Sequence, residues 1–545
     1  MKKRFAFIMA WLMFCIPAPD SAGAETVQLR IIATSDLHGK FVPWDYALNE
    51  ESLSGSAAQL AGAIAAYRTP NTLLVDAGDT IQDNSAEIFL GSGDTHPMVR
   101  ALNYLGYDVW VTGNHEYNFG IPALKKTIAD MEAKTLVGNV YGEDGQPIAD
   151  GYTILDAGGV RVAVIGMVTP NIIRWDAANL AGCTVTDPLE ETRKIIDAVR
   201  GQVDVLLGVY HMGIENEYGV PNSGVTDILN ACPEFDVMVS SHEHTLIPSM
   251  ELSGVLVVQN RYMAQTMAVI DLTLENAGGG WKVRDRTAES VDVGRYAPDP
   301  GMMEMLSGYD AFARADAERV IGTLEGGALV PENRVGEIPT ARVRDTALID
   351  LINRAQMHYS GARVSAAPLT AAGANLYPGA VRKRDIALMY KYPNTLYLLR
   401  MNGKQLKRFM EWSARYFNTL RSGDAAVSAD PSFADYNYFM FEGVRYLVDL
   451  KREPGSRIRD LTWPDGTPVK DTEEFTLAVN NYCAASQLLV PGIICEADDM
   501  PVLLEKDVRG DIGGIRELIR DYIVNVKGGV ITPECSENWR IVGIE

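Results

Sequence analysis

Leu29-Arg30-Ile31-Ile32-Ala33, continuing into Thr34-Ser35-Asp36-Leu37-His38-Gly39, decides how the rest of the chain is read. The first five residues form a short, mostly apolar run of the kind that makes a buried strand. The next six carry a carboxylate and an imidazole two residues apart, closed by a glycine. The pattern recurs downstream. Leu73-Leu74-Val75 is followed by Asp76, Gly78 and Asp79, and Val109-Trp110-Val111 by Gly113, Asn114 and His115. Val205 to Val209 is followed by His211, and Val237-Met238-Val239 by His242 and His244. Val162 to Ile165 reads as one more strand. Helical patterns at Ser56 to Tyr67 and Ile121 to Ala133 lie between several of these runs. Such alternation predicts helices covering a layered sheet core, with polar groups gathered where strands end.

The chain has seven histidines, and five of them stand at these strand ends; His96 and His358 are the exceptions. A lone histidine is ordinarily a hydrogen-bonded residue. Here His, Asp and Asn return at one expected edge of one sheet, and that coincidence points to metal. Mixed imidazole and carboxylate ligands suit manganese, zinc, cobalt or iron better than calcium. Seven candidate ligands are more than one tetrahedral ion needs. Two divalent ions sharing a bridging carboxylate fit the set.

Length and charge bound the remaining possibilities. With 545 residues and 47% hydrophobic content, the chain predicts at least two domains. A formal charge of −22 argues against a nucleic acid polymer or an anionic lipid surface as partner. A small anionic substrate is compatible if local cations offset the field. Lys2, Lys3 and Arg4, the apolar run Phe5 to Ile16 and Ser21-Ala22-Gly23-Ala24 read as a signal peptide over residues 1–24. The apolar run is shorter than the roughly 20 residues a membrane span needs, so no stable anchor is expected after cleavage. The mature protein is then exported, to a periplasm or to the medium. Five cysteines remain after cleavage, an odd number, and no Cys-x-x-Cys pair occurs, so none is assigned to metal.

Near Asp299 the pattern changes. Met302, Met305, Leu306, Tyr309 and Phe312 fall at helical spacing, a packing helix rather than a cofactor box. The expected division is a first domain over residues 25–295, a linker with this helix over 296–334, and a second, α+β domain over 335–545. In the second domain, Thr395 to Met401 reads as a strand, Asn402-Gly403 as a turn and Lys404 to Phe417 as a helix.

The series Asp36-Leu37-His38-Gly39, Gly78-Asp79, Gly113-Asn114-His115-Glu116, His211 and His242-Glu243-His244 resembles the calcineurin-like metallophosphoesterases. The resemblance implies a four-layer αββα sandwich with a two-metal site. It implies Asp36, His38 and His244 around one ion, Asn114, His211 and His242 around the other, and Asp79 as the bridge. His115 resembles the non-ligand histidine that assists the leaving group. Ser240 departs from the family pattern, which usually has Gly there. The order of domains is similar to the secreted 5′-nucleotidase family, whose C-terminal domain binds the nucleoside. Several stretches resemble the bacterial 2′,3′-cyclic-nucleotide 2′-phosphodiesterase/3′-nucleotidase branch: Ser365 to Leu369, Tyr390 to Asn394, Tyr438 to Gly443, Val479 to Tyr482 and Asn538 to Arg540. Asn118, where many 5′-nucleotidases have Asp, resembles that branch as well.

The resemblance implies an exported enzyme that opens 2′,3′-cyclic nucleotides to 3′-nucleotides and then to nucleosides. Tyr392 and Tyr438 resemble the family's base-stacking aromatics, with Asn394 nearby. A relative movement of the two domains would bring base site and metals together. A 5′-nucleotidase or nucleotide-sugar hydrolase is the alternative, and a catalytically inactive nucleotide-binding surface protein a more distant one. Oligomeric state is not legible.

Overall fold

The computed structural model describes residues 25–542, apart from residues 92, 277, 332–337, 393, 422–426 and 511. The expected signal peptide lies outside the described residues, as does the expected boundary between residues 334 and 335.

The first half contains two six-stranded sheets rather than one. In chain order their strands are β1 (Thr26–Thr34), β2 (Thr72–Asp76), β3 (Val109–Val111), β4 (Lys134–Leu136), β5 (Tyr152–Ala157), β6 (Val160–Val168), β7 (Val205–His211), β8 (Val237–Ser240), β9 (Ile247–Leu252), β10 (Val255–Gln259), β11 (Thr266–Asn276) and β12 (Trp281–Asp292). One sheet runs β12-β11-β1-β2-β3-β4 and the other β9-β10-β8-β7-β6-β5. In the first, β1 to β4 pair in parallel and β11 joins β1 antiparallel. In the second, β6, β7, β8 and β10 are parallel, with antiparallel edges at β5 and β9.

Alternation along each strand builds the layers. Leu29, Ile31 and Ala33 of β1 join Leu73, Val75, Val109 and Val111 in a core shared with Val162, Val164, Val205, Leu207, Val209, Val237 and Val239 of the other sheet. The opposite faces pack on helices. Ile32, Leu74 and Trp110 meet the helices Ala57–Tyr67, Pro97–Leu105 and Pro300–Ala317. Ala163, Ile165, Leu206 and Met238 meet Pro188–Val199 and Val225–Ala231. Four layers result, and each fully buried Val, Leu or Ile contributes roughly 1.5–3 kcal/mol.

The second half has its own core around a five-stranded sheet, ordered Phe439–Glu442, Val364–Pro368, Glu474–Asn480, Leu396–Asn402 and Val502–Glu505. The helix Ala347–Ser360 packs on it through Leu348, Ile349, Ile352 and Ala355. Two expectations change here. Val320–Leu324, placed in the linker, is a strand paired with Gly379–Arg382 and Val530–Ile531, so it belongs to the second half. Asn402-Gly403 is not a separate turn. Asn402 ends a strand and caps the helix Gly403–Ser413 in a reciprocal capping box with Gln405.

Direct contacts tie the halves together. Asp316, near the end of the packing helix, forms an ion pair with Lys383. Arg516 reaches Glu87 at 3.3 Å, and Arg174 donates to the carbonyl of Ala485 at 3.0 Å.

Candidate active site

The loops after β1, β2, β3, β7 and β8 converge at the carboxyl edge shared by the two sheets. They bend sharply. Asp36, His38, Asp79, His242 and His244 all hold positive φ, between 44° and 80°. Such a backbone costs on the order of 1–3 kcal/mol per non-glycine residue and persists where its surroundings enforce it. A backbone ladder supplies part of that enforcement: Asp36 N donates to Gly78 O, His38 N to Asp79 O and Gly39 N to Thr80 O, at 2.8–3.0 Å. Close approach explains the glycines. A Cβ on Gly78, whose φ is 91°, would sit 2.3 Å from Gly113 N, and one on Gly113 would sit 2.2 Å from Asp79 Oδ1.

Glu116 is the brace that the sequence reading missed. It is fully buried, and its two carboxylate oxygens accept from Asp79 N, Gly113 N, Thr80 N and Ile81 N at 2.6–3.2 Å. The loops after β2 and β3 are held in register by this one side chain.

The expected ligands fall into two groups that share Asp79. Asp36, His38, Asp79 and His244 have ligand atoms within 4.8 Å of one another, and so do Asp79, His211 and His242. Asn114 Oδ1 joins the second group, 2.9 Å from His211 Nε2 and 2.8 Å from His242 Nδ1.

The protonation pattern of the donors fits cations. Ala77 O accepts from His211 Nδ1 at 2.7 Å, so a neutral His211 turns a bare Nε2 toward Asn114 Oδ1 and toward Asp79 Oδ2 at 3.2 Å. Glu217 accepts from His242 Nε2 at 3.1 Å, which leaves Nδ1 bare. Gln82 accepts from His38 Nδ1 at 2.9 Å, leaving a bare Nε2 that faces His244 Nε2 at 3.0 Å. Asp36 Oδ2 is buried with no hydrogen-bond partner. Lone pair faces lone pair unless positive charge lies between them.

The electrostatics of the site make the same demand. Burial lowers His211, but the Asp79 carboxylate outweighs it and holds this ring up at about 10. Burial raises Asp79, while His211 and His115 more than offset it and hold the carboxyl well below its ordinary value. Burial, with the neighbouring His244, drives His38 down to about 4, so it offers a lone pair at neutral pH. A cation beside His211 Nε2 would take the place of the proton there.

His115 stands beside both groups and in neither. Its backbone N donates to Asp79 Oδ1 at 2.8 Å, and its Nδ1 lies 2.6 Å from Asn118 Oδ1. Asn118 Nδ2 in turn donates to both oxygens of Asp176, at 3.1 and 3.0 Å.

Aromatic rings lead from the ligands into the second half. Tyr262 stacks on His244, centroids 5.0 Å apart at 11°. Lys391 Nζ lies 5.7 Å from the rings of both Tyr262 and Tyr392. Tyr392 meets Tyr436 at 6.3 Å, and Tyr436 meets Tyr482 at 5.9 Å, both edge to face. Tyr482 shares a hydrogen bond with Tyr218, and Trp175 connects Tyr218 back to His242, at 6.0 and 5.5 Å. The chain of rings thus passes from one ligand group to the other through both halves of the molecule. Tyr392 and Asn394 are half-buried at this rim, and Asn394 Nδ2 reaches the Tyr390 hydroxyl at 3.4 Å.

Tyr438 is placed differently from expectation. It is only 3% exposed and packs between Tyr416 and Phe417 in the core, with no ring face left for a ligand. Tyr436 and Tyr482 present the half-buried rings instead. Strand periodicity does not separate the two: Tyr438 directly precedes the buried strand Phe439–Glu442, Tyr436 lies two residues earlier, and residues two apart along a strand share a face.

Calcineurin-like phosphoesterases match residues 29–246, and the 5′-nucleotidase C-terminal domain matches residues 320–488. The 2′,3′-cyclic-nucleotide 2′-phosphodiesterase/3′-nucleotidase of Yersinia enterocolitica is 26% identical, over 96% of this chain and 89% of its own length. The trifunctional nucleotide phosphoesterase YfkN of Bacillus subtilis is 28% identical over 98% of this chain, which spans 40% of that longer protein. A Staphylococcus aureus structure solved with α-ketoglutarate superposes on 94% of this chain and 100% of its own, with a TM-score of 0.78 at 22% identity, and shares the fold. Calcineurin-like phosphoesterases use two divalent metals, and the two donor groups around Asp79 have the composition such a pair requires. By its matched domains and the side chains grouped around Asp79, the chain joins a calcineurin-like phosphoesterase domain to a 5′-nucleotidase C-terminal domain, the make-up of a metal-dependent phosphoric ester hydrolase.

Proposed function

We propose that this protein hydrolyses 2′,3′-cyclic nucleotides to 3′-nucleotides and then to nucleosides, in the periplasm or outside the cell. One observation carries the reading: the aromatic rim joining both ligand groups to Tyr392, Tyr436 and Tyr482. A phosphate ester alone needs no such rim. A phosphate attached to a flat base does, and stacking of a base on an aromatic ring is worth on the order of 1–3 kcal/mol. The relatives named as cyclic phosphodiesterases support the choice of ester, as does Asn118 beside His115.

In this reading Asp36, His38 and His244 would hold one ion, Asn114, His211 and His242 the other, and Asp79 would serve both. Bound ions would supply charge neutralisation at the phosphate oxygens and acidify water. His115 donates the proton from Nε2 to the departing ribose oxygen while Nδ1 stays held by Asn118. Tyr436 and Tyr482, with Tyr392, fix the base and hence the reach of the ribose toward the ions. A 2′,3′-cyclic phosphate lies on the ribose edge close to the base, and a 5′-phosphate extends from the other side of the sugar. One fixed slot therefore favours one of them.

The test is kcat/KM for 2′,3′-cyclic AMP, 3′-AMP and 5′-AMP under a single metal condition. The cyclic nucleotide and 3′-AMP should lead. If 5′-AMP is the best substrate, the protein is a 5′-nucleotidase using the same ions. Export is tested separately: N-terminal sequencing of the mature protein should begin at Glu25.

A further inference from the structure

Asn118 sets a problem. The proposed role of His115 calls for an imidazolium, yet the side chain against its Nδ1 is a neutral amide. The structure supplies the missing charge one residue further back. Asp176 caps the short helix Ile172–Trp175, 58 residues along the chain from Asn118, and is 7% exposed. Its carboxylate receives the Asn118 amide on both oxygens, at 3.1 and 3.0 Å. Asn179 Nδ2 donates to Asp176 Oδ1 at 3.2 Å and to the Asn118 carbonyl at 2.8 Å, which ties the same loops together.

We propose that Asp176 is the positioning residue of a His115–Asn118–Asp176 relay, in which the carboxylate acts on His115 through the amide. The inference rests on the reading of His115 as the group that protonates the leaving oxygen. Only an NH2 can donate to both carboxylate oxygens, so Asp176 fixes which end of the Asn118 amide faces His115. That end is Oδ1, and Oδ1 requires a proton on His115 Nδ1. Nε2 is then the nitrogen that carries the transferable proton. On transfer, the Nε2–H bond breaks, the ribose O–H bond forms and the ring is left neutral with Nδ1–H still in place. An amide free to turn over would set N–H against N–H at Nδ1 and disfavour the charged ring. Burial pushes the Asp176 carboxyl up to about 6, which still leaves it mostly ionised at neutral pH.

The experiment uses the metal-loaded, full-length protein and two substrates. 3′-AMP has a poor leaving group that needs a proton, whereas p-nitrophenyl phosphate releases p-nitrophenolate, a stable anion that needs none. Asp176→Asn should lower kcat on 3′-AMP by about 10–100-fold, the usual cost of removing a carboxylate that orients an active histidine at second hand. On p-nitrophenyl phosphate it should stay near wild type, with metal content unchanged. In a His115→Ala background, Asp176→Asn should have no further effect, because the two act as one unit. Asn118→Asp alone should be poor, since it sets two carboxylates about 3 Å apart. Asn118→Asp with Asp176→Asn moves the charge one place along the relay and should recover most of the 3′-AMP activity, a readout that stands even where the single variant is unstable. Equal losses on both substrates, or no recovery in the double variant, overturn the relay. Full activity of His115→Ala on 3′-AMP would instead overturn the role of His115 itself.

Discussion

Tyr438 lies against Tyr416, ring centroids 5.1 Å apart and planes at 18°, with Phe417 edge-on to it at 5.0 Å. Its ring fills core volume that no ligand can reach. Tyr438→Ala should therefore act on stability, costing on the order of 3–5 kcal/mol as other buried aromatic truncations do. Tyr436→Ala and Tyr482→Ala should leave the melting temperature nearly unchanged and raise KM for nucleotides. p-Nitrophenyl phosphate has no base and should be nearly indifferent to either. The reverse pattern, with Tyr438→Ala stable and defective in nucleotide binding, would place the base slot elsewhere.

Asp79 contributes to both ligand groups, whereas every other ligand serves one. Asp79→Ala should lower bound metal from two ions per chain further than Asp36→Ala or His242→Ala does. A strong chelator should abolish hydrolysis of every phosphoester, and a divalent transition metal should restore it. Metal content measured by elemental analysis gives the comparison, and undiminished turnover in excess chelator would remove the basis for a metal centre.

Glu116 touches no ligand side chain, yet four backbone N–H groups of the ligand loops end on it. Glu116→Ala leaves those donors buried and unpaired, at about 1–3 kcal/mol each if nothing relaxes. The expected outcome is a lower melting temperature together with weaker metal affinity, both partly restored by Glu116→Gln, whose carbonyl can still accept. Wild-type metal affinity in Glu116→Ala would show that the ladder between Asp36–Gly39 and Gly78–Thr80 holds the loops unaided.

His96 predicts an acid-sensitive step outside the site. It is 4% exposed, caps the helix Pro97–Leu105 by accepting from Met98 N on Nδ1, and its Nε2 pairs with the carbonyl of Ala86. Burial lowers it from 6.5 to about 4, so the folded protein keeps the ring neutral while the unfolded chain takes up a proton. Its contribution is complete above pH 6.5 and is lost as pH falls from there toward 4, on the order of 3 kcal/mol in all. His96→Asn retains a capping acceptor without that titration. Its stability relative to wild type should improve as pH drops across this window, measured by denaturant unfolding. A constant difference between the two proteins would show that His96 does not titrate as described.

The strands, the grouping of the candidate ligand side chains and the division into two domains were legible because each rests on local pattern. Leu29, Ile31 and Ala33 alternate with Ile32 whatever surrounds them, and His211 stands at the end of an apolar strand in sequence as it does in space. That the seven expected ligands gather in one place was readable for the same reason: each stands within a few residues of a strand end, and strand ends converge in layered folds. What the tertiary structure alone decided is which residues meet across long sequence distances. That the ligands hang from two sheets rather than one depends on how β1 to β3 face β7 and β8 through their shared core. Glu116 looks like one more carboxylate in Gly113-Asn114-His115-Glu116 until the loop after β2 is laid over it. Asp176 carries no local sign of its link to Asn118, because that link is a hydrogen bond between separate loops. Tyr436 and Tyr438 share a residue type and are two places apart. Only the packing of Tyr416 and Phe417 against one of them separates a core ring from a ring at the rim, since burial is a property of neighbours that sequence order does not specify.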